Sequence, residues 1–455
     1  MTIILVFALA VIAAAHQDTT PTTLVIRGGT IVDVRDYGAS ARDLRDAVVV
    51  VEHGKITAVG PRASTKVPAG ARVIDARGKY VVPGYVDGFA ALANQAFANA
   101  DLYMGVTSVV AAVPDSSGPP VADARRAPTF AHADPSPRLF FLGHVSGLIR
   151  EGDSVRQMTG VDAVARLDSE TQRGAKVVLL HYGMNPSALR AAVPRAHALG
   201  VATIGELGAS TYYEAQDAGV DVFVHTSRYS LEIAPPALRA RVAQRPFGPP
   251  RLEYYRYLTS LSPDDTSLAR HARLLGAGRT LLMPTLSLNY LQLRDHENPW
   301  HEPAAALIDP AMIHLPADRQ TGAPTAPADT VRDGVPAGSG EAILDLERRY
   351  RAAGAHYLAG SGTSAFGTMP GISLHTELEL LVRIGLTPRQ ALAAATWNFS
   401  RLAPWSSLGE IAPGRDADLL VLDADPTKDI RNAKRIHAIV LRGTVIDRPG
   451  LLRKN

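Results

Sequence analysis

The chain contains no cysteine. That absence excludes structural disulfides, thiolate-bound zinc, iron–sulfur clusters and a cysteine nucleophile. It also suits an oxidising compartment, where an unpaired thiol is a liability. Aromatic residues are sparse at 6%, and neither sign of charge dominates: 47 Lys and Arg against 44 Asp and Glu leave a formal net charge of +3. No basic run is interleaved with aromatics, so nucleic acid and anionic membranes are not expected partners. Long apolar runs are missing too, with one exception. Ile3 to Ala15 is almost wholly apolar, ends in Ala13-Ala14-Ala15 and gives way to polar His16-Gln17-Asp18. An apolar run of this length with a small-residue end reads as a secretory signal over residues 1–15, not as a membrane span. The reading predicts an exported protein, periplasmic or extracellular, with no membrane span once the signal is removed.

What is present is a globular composition. The 455 residues are 46% hydrophobic and 20% charged, enough for a large α/β unit plus a smaller module. Short strands fill the stretch from Leu24 to Gly78, including Val48-Val49-Val50-Val51 and a hairpin turning at His53-Gly54. The C-terminus has the same pattern of short strands and tight turns. Leu419 to Leu422 is a strand, and Ile436 to Leu441 turns at Arg442-Gly443 into Thr444-Val445-Ile446. Strands at both ends with a different pattern between them predict a composite β-sandwich from residues 22–79 and 407–455.

Between them, residues 80–406 alternate strand and helix. Strands are predicted at Val81–Asp87, Val106–Ala112, Leu139–His144, Lys176–His181, Val201–Gly205, Val220–His225, Thr280–Thr285 and His356–Gly360, and helices at Asp162–Arg173, Pro186–Leu199, Ser267–Ala277 and Glu341–Ala353. Eight βα units in succession predict an α/β fold of the (β/α)₈ TIM-barrel type. An open doubly wound sheet is the alternative, but no G-x-G-x-x-G follows the first strand. Pro114–Pro137, Pro235–Asp265 and Asn298–Gly340 read as long irregular loops, of the kind that form lids or mobile inserts.

One stretch carries a resemblance. Val81-Val82-Pro83-Gly84-Tyr85-Val86-Asp87-Gly88-Phe89-Ala90 resembles the first barrel strand of the amidohydrolase superfamily, where the pattern is P-G-[LYF]-[IV]-D-x-H-x-H. Gly409-Glu410-Ile411-Ala412-Pro413-Gly414-Arg415-Asp416-Ala417-Asp418-Leu419 and Ser373-Leu374-His375-Thr376-Glu377-Leu378 are similar to later signatures of the same superfamily. The likeness runs over nearly the whole mature chain and is greatest to the exported imidazolonepropionase-like and Xaa-Pro dipeptidase-like branch. It implies a barrel whose C-terminal mouth holds one or two divalent metals that activate water for hydrolysis of C–N bonds.

The ligand positions that the resemblance implies are stripped. Gly88 and Ala90 stand where the two histidines of H-x-H belong, Leu179 where a carbamylated lysine does, Ile204 where the fifth-strand histidine does, and Gly362 where the eighth-strand aspartate does. Only His225 is kept, in Ala218-Gly219-Val220-Asp221-Val222-Phe223-Val224-His225. No metal is therefore expected at the family's site.

Other donors share the mouth by strand parity. His181 lies two residues beyond Leu179, Glu206 two beyond Ile204, and His144 ends the third strand. With His225 they form either an acid–base group without metal or a relocated site for one zinc. The bland alternative for each is a strand-end cap. Glu206, His181 and His225 are the candidate catalytic residues, and His144, Arg228 and Tyr212 the candidate substrate contacts. Asp87 and His375 read as structural. Ser361, Thr363 and Ser364 crowd the eighth strand, but no G-x-S-x-G supports a serine nucleophile. His296-Glu297-Asn298-Pro299-Trp300-His301 has the wrong spacing for a zinc-protease helix and reads as loop. Two functions stay open: a divergent hydrolase of amides, cyclic amides or small peptides whose metal centre is dismantled, and an inactive relative that binds a small ligand or regulates a partner. Self-association is left open.

Overall fold

The structure, a computed structural model, describes residues 23–112, 135–226, 231–244, 249–262, 264–293, 295–313, 318, 320 and 339–453. The export segment, most of Pro114–Pro137 and Arg228 lie outside the described residues.

Two sheets organise the chain. The first has eight strands drawn from both ends of the sequence. Strands β1 (Leu24–Ile31), β2 (Leu44–Glu52), β3 (Lys55–Pro61), β4 (Arg72–Asp75) and β5 (Tyr80–Pro83) come from the N-terminal part. Residues Leu419–Leu422, Ile436–Leu441 and Thr444–Val445 join them through an antiparallel ladder that sets Leu419 opposite Pro83 and Leu422 opposite Tyr80. The hydrogen bonding runs continuously through strands from both termini, and Leu24, Ile26, Val49, Val51, Leu419, Val421 and Val440 share one core. The valine run of β2 explains its place: Val49 and Val51 pack on one face and Val48 and Val50 on the other. Both sharp hairpins have consecutive positive φ angles, His53 at 52° with Gly54 at 74° and Arg442 at 50° with Gly443 at 79°. That pairing is the type I′ turn, whose twist matches its strands.

The second sheet is parallel. It runs through β6 (Tyr85–Ala90), β7 (Val106–Ala112), β8 (Arg138–Val145), β11 (Val177–Leu180), β12 (Ala202–Gly205), β13 (Val222–Val224) and β14 (Leu281–Met283). A two-stranded ribbon, β9 (Leu148–Glu151) with β10 (Ser154–Gln157), follows β8. Around the barrel lie helices α1 (Gln95–Tyr103), α2 (Gly160–Gln172), α3 (Pro186–Ala198), α4 (Tyr212–Ala218), α5 (Pro236–Gln244), α6 (Pro249–Ser260), α7 (Thr266–Ala277), α8 (Ser339–Ala352), α9 (Ile372–Arg383) and α10 (Pro388–Ala394). The C-terminal strands named above are β15, β16 and β17. Val86, Val110, Leu142, Leu179, Ile204, Val222, Val224, Leu281, Met283 and Leu358 fill one core cluster with Phe399 and Trp405. Their period-2 spacing marks them as the inward-facing set.

Three expectations are corrected. The first predicted strand, Val81–Asp87, is two strands in two sheets, changing over at Gly84. A Cβ there would lie 2.1 Å from Thr107 Oγ1, so only glycine lets the chain cross. The eighth predicted strand is not a regular strand. Residues 356–359 close the barrel through a few bonds, Leu282 N to His356 O at 2.9 Å, Leu358 N to Leu282 O at 2.8 Å and Gly88 N to Ala359 O at 3.0 Å. Finally, Pro235–Asp265 is not irregular. It contains α5 and α6, each begun by a proline, where its fixed φ favours the first helical turn instead of breaking it.

The two sheets are tied where they meet. Arg138, opening β8, donates from Nε to Asp418 Oδ2 at 2.5 Å, and Arg442 N donates to Asp418 Oδ1 at 2.6 Å. The Asp418 side chain is 3% exposed.

Candidate active site

The C-terminal ends of β11, β12 and β13 bring three of the candidates together. Glu206 follows β12 with the inward parity of Ile204, and His181 follows β11 with that of Leu179. His181 Nε2 lies 3.2 Å from Glu206 Oε2, and His225 Nε2 lies 3.5 Å from Glu206 Oε1. The hydroxyl of Tyr182 donates to Glu206 Oε1 at 2.9 Å. Glu206 and His225 are nearly enclosed, their side chains 8% and 6% exposed, while His181 at 24% faces the opening. The separation at His225 is wider than a well-formed hydrogen bond, leaving an electrostatic contact that a small movement would tighten.

His225 reaches this position against its parity. Val222 and Val224 point inward, so the next residue in an extended strand would point out to the helices. His225 instead takes φ 54°, a left-handed conformation uncommon for non-glycine residues. Its Nδ1 lies 2.5 Å from Thr285 Oγ1, and that hydroxyl donates to Pro284 O at 2.6 Å. Nε2 faces Glu206. The edge of Phe89 packs against the same ring at a centroid distance of 5.2 Å.

The remaining candidates divide. His144 is close to the group, its ring 4.8 Å from that of His181. Tyr212 is not at the mouth: it is 1% exposed, packs on Phe223 behind the strand and donates from its hydroxyl to Thr226 O at 3.4 Å. Arg228 is among the residues not described. Asp87 accepts from Ser361 N at 2.8 Å and Phe89 N at 3.3 Å, and burial pushes its carboxyl up to about 6. His375 is held by Met104 O at 2.7 Å, and burial lowers it to about 4. Tyr182 and Thr285 were not singled out by sequence. Tyr182 adjoins His181, and Thr285 shares the inward parity of Met283, which are the only local signals for either.

Two of the positions at which the resemblance implies metal ligands, Gly88 and Gly362, are closely packed. A Cβ on Gly88 would lie 2.8 Å from Phe399 Cζ, 2.9 Å from Ala359 O and 2.9 Å from Met283 Sδ. One on Gly362 would lie 2.7 Å from Leu288. Among the described residues, no group of three or more His, Asp or Glu has the geometry to hold a metal ion.

The parallel barrel with a second sheet beside it is the architecture this chain shares with known proteins. Residues 263–446 match the model of the amidohydrolase family. It is 25% identical over 438 residues to the dihydroorotase of Pelotomaculum thermopropionicum, covering 90% of this chain and 91% of that one. A shorter stretch of 121 residues is 34% identical to the imidazolonepropionase of Deinococcus deserti and spans 28% of it. Another of 101 residues is 38% identical to the adenine deaminase of Rubrobacter xylanophilus and spans only 16% of it. Among solved structures, the ochratoxinase of A. niger superposes with a TM-score of 0.60 at 17% identity, covering 94% of this chain and 97% of that one. A Xaa-Pro dipeptidase with bound methionine superposes with a TM-score of 0.59 at 15% identity, covering 93% and 100%.

Proposed function

We propose that this protein hydrolyses C–N bonds of small amides, cyclic amides or short peptides with an acid–base group in place of the superfamily's metal centre. The observation that carries the reading is the convergence of His181, His225 and Tyr182 on the nearly enclosed Glu206 at the barrel mouth. In this reading Glu206 takes a proton from the water that attacks the acyl carbon. His181, the more exposed imidazole, returns a proton to the departing nitrogen. His225, held at Nδ1 by Thr285, presents Nε2 to Glu206, where the protonated imidazole offsets the carboxylate's charge. The residues present do not fit a divalent metal: the family's ligand positions hold Gly88, Ala90, Leu179, Ile204 and Gly362, and Met283, Phe399 and Leu288 pack against two of them.

That apolar filling also favours a second reading, a relative that binds a small ligand without turning it over. One experiment separates the two. A panel of small amides, cyclic amides and dipeptides is assayed with the wild type and Glu206→Gln. Positioned acid–base catalysis is worth about 10²–10⁴-fold, and the variant is expected to lose a factor in that range while keeping its fold. Undiminished turnover in Glu206→Gln would sink the acid–base reading, and saturable binding without any turnover would establish the second one.

A further inference from the structure

The residue after His225 is clamped from two sides. Thr226 is fully buried, and its hydroxyl donates to Glu347 Oε1 on α8, while its carbonyl accepts from Tyr212. Glu347 is itself 0% exposed. Its other oxygen, Oε2, accepts from the Tyr357 hydroxyl at 3.1 Å, and Tyr357 O in turn accepts from Asn398 Nδ2 at 2.8 Å. One carboxylate on an outer helix therefore grips the end of the sixth strand and the segment that closes the barrel.

A left-handed conformation at a β-strand end is unfavourable for histidine and persists only where the surroundings over-determine it. Here the surroundings are explicit. The left-handed turn at His225 ends in Thr226, whose side chain and carbonyl are both tied. If Thr226 were released, the strand would relax toward extended backbone. His225 would then swing to the outward parity of its position, away from Glu206 and Thr285. We propose that Glu347 is a positioning residue of this site, holding through Thr226 the turn that aims His225 Nε2 at Glu206. The proposal rests on the reading of Glu206 and His225 as partners. A carboxylate suits the task because it accepts from two hydroxyls at once, and hydrogen bonds to a charged acceptor are stronger than neutral ones.

The test uses the full chain with ¹⁵N-labelled histidine. The His225 ring signals are identified as those lost in His225→Gln. Thr226→Val keeps the shape and removes the donor; it is expected to move the His225 ring signals and lower kcat by about tenfold or more at nearly constant KM. Glu347→Gln keeps an acceptor for Thr226 and is expected to retain the wild-type ring signals and most of the turnover. Glu347→Met, close in volume but without an acceptor, gives a second route to the same loss if Thr226→Val does not fold. A folded Thr226→Val or Glu347→Met protein with wild-type ring signals and wild-type kcat would overturn the proposal. Because the ring signals are read without substrate, a failure of the catalytic reading, seen as full turnover in His225→Gln, is distinguishable from a failure of the positioning one.

Discussion

Gly88 tests the proposed absence of a metal at the barrel mouth. In the superfamily pattern this position is a histidine, but here the space its side chain would need is occupied. Two of the three nearest atoms, Phe399 Cζ and Met283 Sδ, belong to side chains that can shift. The third, Ala359 O at 2.9 Å, is backbone and accepts from Gly88 N, so it stays. Overpacking a core typically costs about 1–3 kcal/mol. Gly88→His is therefore expected to lower stability by an amount in that range, measured by urea denaturation, and to bind no zinc by elemental analysis. Adding Met283→Ala is expected to recover part of the stability and none of the metal. Full stability or stoichiometric zinc in Gly88→His would mean that the mouth is more open than its packing indicates. The same scale decides what could be read from the sequence. His181 and Glu206 were legible because period-2 parity carries them inward from Leu179 and Ile204. His225 was legible by motif alone: its parity points the wrong way, and only the left-handed φ angle brings it to the mouth. Tyr182 meets Glu206 across 24 residues and Thr226 meets Glu347 across 121, separations at which no local pattern encodes a contact.

At the scale of elements, α9 is joined to the turn after β14 by a buried acid. Glu377 is 0% exposed and accepts from Ser287 N at 2.8 Å, while Ser287 Oγ donates to Ser361 O at 2.7 Å. Burial pushes the Glu377 carboxyl up from 4.5 to about 8. A carboxyl whose folded pKa is raised makes the native state bind more protons, so its stabilising effect is complete below the unfolded pKa and declines as pH rises toward the folded one. Glu232, raised by burial to about 7, acts in the same direction. His271 and His375, lowered by burial to about 4, act in the opposite one, but their effect is complete once pH exceeds the ordinary histidine value of 6.5. Between pH 6.5 and 8 the carboxyls therefore stand alone, and stability should fall with rising pH by up to about 1.4 kcal/mol per unit for each proton released. Urea titrations across that window check the fall. Glu377→Gln, which keeps an acceptor for Ser287 N, should make it shallower, leaving the part due to Glu232 and the buried Asp101, and an equal slope in the variant would assign the effect elsewhere. Elements of this kind were only partly visible in the sequence. The hairpins at His53-Gly54 and Arg442-Gly443 have local turn chemistry, whereas α5 and α6 were hidden by prolines that sit at helix starts, and the eighth strand by having little ladder of its own.

For the whole molecule, the proposed function places no cation at the barrel mouth, where Phe399 and Met283 pack around Gly88 and Leu288 around Gly362. In a protein whose metal binds only the native state, ligand binding adds RT ln(1 + [L]/Kd) to stability, about 2.7 kcal/mol at a hundredfold excess over Kd. Removing such a metal lowers the melting temperature by several degrees in domains of ordinary size. In the proposed reading the barrel mouth is held instead by the Phe399, Met283 and Leu288 packing and by bonds such as Gly88 N to Ala359 O. Exhaustive dialysis against a chelator is therefore expected to leave both the melting temperature and any amide turnover unchanged, and added zinc, manganese or nickel to raise neither. The two readouts must agree for the conclusion to stand. A drop in melting temperature with lost turnover, both restored by one metal, would place a cation at the mouth and return the protein to its superfamily's chemistry. A drop in melting temperature alone would point to a structural ion elsewhere and leave the Glu206 group as the working centre.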